Sequence, residues 1–192
     1  MKHHLKVDEK ISLRLLDPGD KDVLFELVDD NRDYLKEWLP WLDHNTTSND
    51  SLEFIKSTIQ QFDDNLGPQF VIISDGEVSG MAGFHPFDLA NKCAEIGYWL
   101  SENKQGQGIV TKCCKVLISQ AFKTYSMQRL QIPAAENNLK SRSVPERLGL
   151  KFEGILRNRQ NLYGKLINHA MYSMTKDEYL GWHHNKSFKS EV

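Results

Sequence analysis

Apolar and polar residues alternate in Ile11-Ser12-Leu13-Arg14-Leu15, a period of two that predicts an opening strand. Asp17-Pro18-Gly19-Asp20 then brings turn and helix-cap chemistry, and Val23, Leu24, Leu27 and Val28 recur at helical spacing. Between Tyr34 and Leu42, the indoles Trp38 and Trp41 flank the helix-breaking Pro40, and a polar loop runs over 43–49. Asp50 with Glu53 resembles a capping box for a second helix whose single face carries Leu52, Ile55, Ile59 and Phe62.

The pattern next reads as strands at 70–73 and 78–84, joined through Ser74-Asp75-Gly76-Glu77, where Asp-Gly is a strong hairpin signal. A loop through Pro86 and Asn91 leads to a strand over 94–100, completing an antiparallel meander. The order then changes to helix (109–125), strand (129–132), helix (139–148, closed by Gly149) and strand (151–156). A strand, a crossover helix and a further strand suggest parallel neighbours in this half. A last strand over 161–174 and a short tail helix over 178–182 end the pattern. With no repeat and no low-complexity linker, the chain reads as one α+β domain over residues 1–192, with a mixed central sheet and flanking helices.

Charge adds little to this picture, because a net −2 over 192 residues gives no global field favouring nucleic acid or anionic membrane. Any phosphate affinity must therefore be local. No apolar run approaches a membrane span, and Met1-Lys2-His3-His4-Leu5-Lys6 lacks the apolar core of a secretory signal, so a cytoplasmic location is expected. Cys93, Cys113 and Cys114 form no even disulfide set and no Cys-x-x-Cys pair, and read as reduced, mostly buried thiols. The seven histidines, including His3-His4 and His183-His184, are scattered without metal-ligand spacing, so no metal is expected.

The chemistry concentrates in Asn103-Lys104-Gln105-Gly106-Gln107-Gly108-Ile109-Val110, which links the strand ending at Leu100 to the helix beginning at Ile109. A glycine-bracketed turn feeding a helix start offers several backbone N–H groups and the positive end of the helix dipole, an anion cradle suited to phosphate or pyrophosphate. A purely steric turn is the other reading of Gly-x-Gly. No Gly-Lys-Ser/Thr follows, and no first strand of a dinucleotide-binding unit opens the chain. What remains is a loop that holds pyrophosphate through main-chain groups, set behind an antiparallel meander.

In order and spacing, several further pieces accompany that loop. They are Arg14 with Leu15; residues 31–41 ending in Trp38-Leu39-Pro40-Trp41; Glu95-Ile96-Gly97-Tyr98-Trp99-Leu100; and Gly106-Gln107-Gly108-Ile109. Asn138-Leu139-Lys140-Ser141, Arg147-Leu148-Gly149-Leu150, Phe152-Glu153-Gly154 and Tyr163-Gly164 follow. Together they resemble the GCN5-related N-acetyltransferase superfamily, and within it the Rim-type branch that acetylates N-termini of ribosomal proteins.

The resemblance implies a sheet splayed between the strand ending at Leu100 and the strand ending near Ile132, with acetyl-CoA in the gap and no cofactor metal. Backbone N–H groups of Gln105, Gly106, Gln107, Gly108, Ile109 and Val110 would hold the pyrophosphate. Main chain at Trp99 and Leu100 would bond the pantetheine and the acetyl carbonyl. Asn138 matches a pantetheine-contacting position, and Ser141 one whose hydroxyl can bond the departing thiolate. Pro145, inside the same helix, should remove the hydrogen bond to the carbonyl of Ser141, and a kink there would shift that hydroxyl. The family also implies a homodimer or higher assembly.

Acyl transfer to an amine needs a neutral amine, donors for the developing oxyanion and an acid for the sulfur. An α-amino group with pKa about 7.7 to 8.0 is neutral in about one molecule in ten at pH 7, whereas lysine, near about 10.4, is neutral in a few per ten thousand. An N-terminal amine therefore needs little help. The position that carries a glutamate base in some relatives is Gln160 here, and a common aspartate is Asn168. Glu95 is the remaining carboxylate for that role, with a structural carboxylate as its other reading. Trp38 and Trp41 read either as walls of a peptide-acceptor pocket or as core. Glu26, Asp29, Asp30, Asp33 and Glu37 read as a solvated helix face or as an attractor for a cationic amine. The expected activity is acetyl transfer to a protein N-terminus, Ser or Ala, of a ribosomal protein. A small-molecule amine acetyltransferase and a non-catalytic acyl-CoA sensor are the alternatives.

Overall fold

The computed structural model describes residues 4–187. His3 and the side chains of His183 and His184 lie outside what is described. An eight-stranded sheet, in the order β1-β2-β3-β4-β5-β6-β8-β7, organises the chain. Its strands are β1 (His4–Lys6), β2 (Ile11–Leu15), β3 (Gln69–Ser74), β4 (Glu77–Phe84), β5 (Cys93–Leu100), β6 (Arg129–Ala135), β7 (Lys151–Leu162) and β8 (Lys165–Thr175). Between β3 and β4, Asp75 and Gly76 take φ of 52° and 87°, the left-handed pair that a two-residue hairpin turn requires.

One face of the sheet is covered by α1 (Lys21–Asp30), α2 (Arg32–Lys36) and α3 (Ser48–Asp63), where Leu16, Leu24, Ile55, Val71 and Met81 pack together. The other face carries α4 (Ile109–Ser119), α5 (Leu139–Leu148) and α6 (Lys176–Ser187), over a larger core through Ile96, Leu117, Leu130, Ile132 and Tyr172. Both guanidinium N–H ends of Arg14 reach the buried carboxylate of Asp20, at 2.9 and 2.6 Å, tying β2 to the start of α1.

Several expectations from the sequence shift. The cap of α3 is Thr47 with Asp50, three residues on, and Glu53 instead pairs with Lys56 at 2.7 Å. The buried face of α3 is Ser51, Ile55 and Thr58, with Leu52, Ile59 and Phe62 half-buried beside it. The segment read as one last strand is two, because Tyr163 and Gly164 (φ 52° and 86°) turn β7 back into β8. That hairpin places β8 between β6 and β7, so β5–β6 is the parallel pair of neighbours and β7 is an edge.

Pro145 is accommodated without ending α5, which runs from Leu139 to Leu148 and closes on Gly149 at φ 79°. The long helix expected over 109–125 is α4 followed by a wider π turn, Gln120–Thr124, closed by the Tyr125 N–H on Gln120 O at 3.0 Å. Cys113 and Cys114 are buried free thiols, and Cys93 is a half-buried one.

Candidate active site

The parallel pair β5–β6 is short. Cys93, Ala94 and Glu95 face Arg129, Leu130 and Gln131, and beyond them the strands diverge. From Ile96 to Leu100, β5 is paired to β4 alone, so its main-chain groups on the β6 side face a gap, a sheet edge inside the molecule. An extended amide chain such as pantetheine meets such an edge as an added strand would. The closeness of β4 behind it is fixed at Gly80, where a Cβ would collide with the carbonyl of Trp99.

At the C-terminal end of β5, the loop delivers the cradle. Gly108, at φ 73°, is the N-cap of α4, and the first helical bond is Lys112 N–H to Gly108 O at 3.0 Å. The N–H groups from Gly106 through Thr111 are bonded to no acceptor among the described residues, while that of Gln105 closes a turn on Glu102 O at 3.2 Å. The cradle thus starts one residue later than expected. Gln105 offers its side chain instead: Oε1 accepts from Lys140 Nζ at 3.1 Å, and Nε2 is buried with no acceptor among the described residues. An orphaned donor beside free helix-start amides and the cations of Lys104, Lys140 and Arg147 fits a diphosphate.

Across the gap, Asn138 caps α5 by accepting from the Ser141 N–H at 2.9 Å, which commits its oxygen and leaves its amide N–H groups for a carbonyl. Pro145 has no N–H, so Ser141 O lacks its helical donor, and Tyr98 Oη supplies one from β5 at 3.0 Å. The Ser141 hydroxyl is 3.2 Å from the same phenol oxygen. Burial pushes the Tyr98 phenol far above its ordinary pKa, so it remains a neutral donor.

On the α1–α3 side, Trp99 and Trp41 meet with ring centroids 6.3 Å apart at 55°. The loop carrying Trp38 and Trp41 is held from both ends: Arg32 donates to Leu42 O and Asn45 O at 3.0 and 2.8 Å, and Tyr163 Oη donates to Leu39 O at 2.6 Å. Trp38 and Trp41 are both half-buried walls, and Trp41 also packs with Val28, Leu35 and Leu42, so it serves core and cavity together. Tyr98 and Trp99 point to opposite sides of the sheet, as strand alternation requires.

One cavity of about 1470 Å³ runs past all of these groups, from the cradle through the gap to the indoles. Of the residues expected to form the site, Gln107 alone is off its wall; it is exposed and its side chain donates to Asn103 O at 3.4 Å. Glu95 lines the cavity and accepts from Gln131 Nε2 at 2.7 Å, with His85 Nε2 at 3.9 Å. Glu26, Asp29, Asp30, Asp33 and Glu37 are exposed and off the wall, a solvated outer face.

The sequence pattern did not single out His169, Arg159 or His85, and marked Gln160 only as an amide at a position for a base. His169 of β8 and Gln160 of β7 line the cavity and are hydrogen-bonded at 2.9 Å, and Arg159 and His85 lie on the same wall. A histidine entering the otherwise apolar run Ala170-Met171-Tyr172 was the available signal for the first of these. Asn168, by contrast, is structural: it donates to Glu136 at 2.8 Å and accepts from the Asn158 N–H at 3.0 Å.

A sheet opened between two parallel strands, with a helix-start anion cradle and a hydroxyl facing it, defines an acyl-CoA-dependent transferase. The family description "Acetyltransferase (GNAT) domain" matches residues 10–151, and the chain belongs to this family of acetyl-CoA-dependent N-acetyltransferases. It is 37% identical over 179 residues to the putative ribosomal N-acetyltransferase YdaF of Bacillus subtilis (strain 168), covering 92% of this chain and 97% of the relative. Its fold matches that of RimL, ribosomal L7/L12 alpha-N-protein acetyltransferase, in complex with coenzyme A, with a TM-score of 0.87 at 26% identity over 92% and 99% of the two chains. The microcin C7 self-immunity acetyltransferase MccE, in complex with acetyl-CoA and AMP, matches with a TM-score of 0.84 at 27% identity over 88% and 94%.

When bound, acetyl-CoA supplies an acetyl group activated as a thioester. In this chain the cradle and Gln105 would hold its diphosphate, the free edge of β5 its amides, and Ser141 its sulfur.

Proposed function

We propose that the protein acetylates the N-terminal α-amine of a ribosomal protein, with Ser or Ala as the leading residue. The observation that carries the reading is the acceptor half of the cavity. It is walled by the indoles of Trp38, Trp41 and Trp99, and the carboxylates on the whole cavity wall are Asp50 and Glu95. Flat aromatic walls suit a peptide end, whereas a polyamine calls for several carboxylates. The names of the relatives at 37% and 26% identity point the same way.

Cytoplasmic residence belongs to this reading, as the compartment where such acceptors are made. Among the described residues no helix is long and apolar enough to cross a membrane. A homodimer or higher assembly belongs to it as well, supported by the edge strand β7 and by the exposure of Phe152, Leu156 and Leu166 at 48%, 41% and 56%. The test is to incubate the protein and acetyl-CoA with unmodified ribosomal proteins and to map acetyl groups by mass spectrometry. Modification confined to one or a few α-amines supports the reading, and modification confined to lysine side chains contradicts it.

A further inference from the structure

We propose that His169 is the proton acceptor for the incoming amine, oriented by Gln160 on the acceptor side of the gap. The inference rests on the amine-acetylating reading of this site and adds the base that the sequence did not reveal.

Three placements support it. His169 is paired with Ala135 at the end of β6 and with Leu156 of β7, so it stands where β6 has left β5. Its ring shares the cavity wall with Glu95, Trp99 and Ser141. Gln160 Oε1 accepts from His169 Nε2 at 2.9 Å, an arrangement that puts the ring proton on Nε2 and leaves the lone pair on Nδ1. Gln160 occupies the position where some relatives carry a glutamate. An amide there cannot take a proton, yet it can orient an imidazole that does.

The surroundings keep that imidazole neutral. Burial and, after it, the Arg159 cation push the ring below its ordinary pKa, against a pull from Glu95. His85, from the loop after β4, also lines this cavity, and its side chain is 58% exposed. Glu95 is already engaged by Gln131. A half-buried neutral imidazole, hydrogen-bonded at Nε2, keeps a free lone pair at Nδ1 that can take a proton from the amine as it attacks.

The step balances as follows. An acceptor entering as an ammonium loses one proton to His169 Nδ1. The freed nitrogen pair forms the C–N bond to the acetyl carbonyl carbon, and the C–S pair leaves with sulfur. The second proton lost by nitrogen is matched by the one that sulfur gains through the Ser141 hydroxyl. The products are the acetylated amine, a thiol, and one proton that His169 returns to solvent.

The test is the pH profile of kcat, at saturating acetyl-CoA and on the amine with the highest wild-type turnover, for wild type, H169Q, E95Q and Q160E. The wild type should lose activity on the acid side, with an apparent pKa below the usual imidazole value of about 6.5. H169Q should lower kcat about 100-fold and flatten that limb while leaving the acetyl-CoA KM within about twofold. E95Q should keep the limb. In Q160E, a carboxylate beside the ring should move the limb to higher pH, which keeps the proposal testable if H169Q folds poorly. A limb that persists in H169Q, vanishes in E95Q, or moves to lower pH in Q160E overturns the proposal, as does a wild type that acetylates no amine. If the preferred amine is spermidine and not a peptide, the peptide-acceptor reading fails while the test of His169 still runs.

Discussion

Tyr98 Oη donates to the main-chain oxygen of Ser141 at 3.0 Å, across 43 residues of sequence, and replaces the helical donor that Pro145 cannot provide. The proline and the phenol are therefore one device, which fixes the turn of α5 that carries the Ser141 hydroxyl beside the gap. Y98F should leave a buried carbonyl unpaired, costing about 1–3 kcal/mol. In a P145A background, residue 145 regains an N–H and the same Y98F change should cost less than half as much. A thermal-denaturation double-mutant cycle measures the difference; equal costs in both backgrounds would separate the two residues.

The cradle is tested at Gly108. A β-branched residue is strained at φ 73°, and its side chain would enter space that is open around the glycine and faces the free amides. G108V should raise the Kd for coenzyme A about tenfold or more, by calorimetry, with the far-UV spectrum of the fold retained. Unchanged affinity would place the diphosphate elsewhere.

Gln105 gives the complementary result. Its Nε2 is buried without an acceptor among the described residues, so removing it should relieve the free protein while depriving the cofactor of a donor. Q105L is expected to hold or raise the Tm of the free protein and to weaken coenzyme A binding about five- to tenfold. A fall in Tm with unaltered binding would make Gln105 a purely structural residue.

Trp38 lines the acceptor half of the cavity without belonging to the packed cluster that includes Trp41. W38A should raise the peptide KM about tenfold and leave the acetyl-CoA KM unchanged. A reversed split would put the indole on the cofactor side.

Glu153 of β7 links pH to stability through its contacts with Arg129 of β6 and Ser173 of β8. The two-pronged contact with Arg129, at 2.8 and 2.6 Å, and the Ser173 hydroxyl hold its pKa at about 2, below the usual 4.5. A depressed folded-state pKa stabilises the fold above the ordinary value and loses that contribution as pH falls from 4.5 toward about 2. At 38% side-chain exposure the pair is partly screened by solvent. E153Q should therefore unfold with a shallower acid dependence than the wild type between those values, in urea titrations at stepped pH.

Features encoded by a few consecutive residues were legible in the sequence. The Asp75-Gly76 turn, the start of α4 behind Gly106-Gln107-Gly108 and the stop at Gly149 each follow from local backbone needs. The gap itself was reached through the family resemblance. What could not be read depends on distant pairing. Strand β1 is three residues, too short for its alternation to announce a strand, and exists by pairing with β2. Tyr163 is a good strand former, and its role in a turn shows only once β7 meets β8. The His169–Gln160 contact has the same origin, a register between two strands that no local motif announces. Asn138 and Ser141 line the cavity, but the phenol that bonds Ser141 comes from β5, 43 positions away.

The most direct measurement is thiol release from acetyl-CoA by the purified protein, with peptides beginning Ser or Ala, the same peptides blocked at the α-amine but carrying lysine, and spermidine. Release that requires a free peptide N-terminus is the expected result. Release with spermidine alone, or only with the blocked lysine peptides, would contradict the assignment of a protein N-terminus as acceptor.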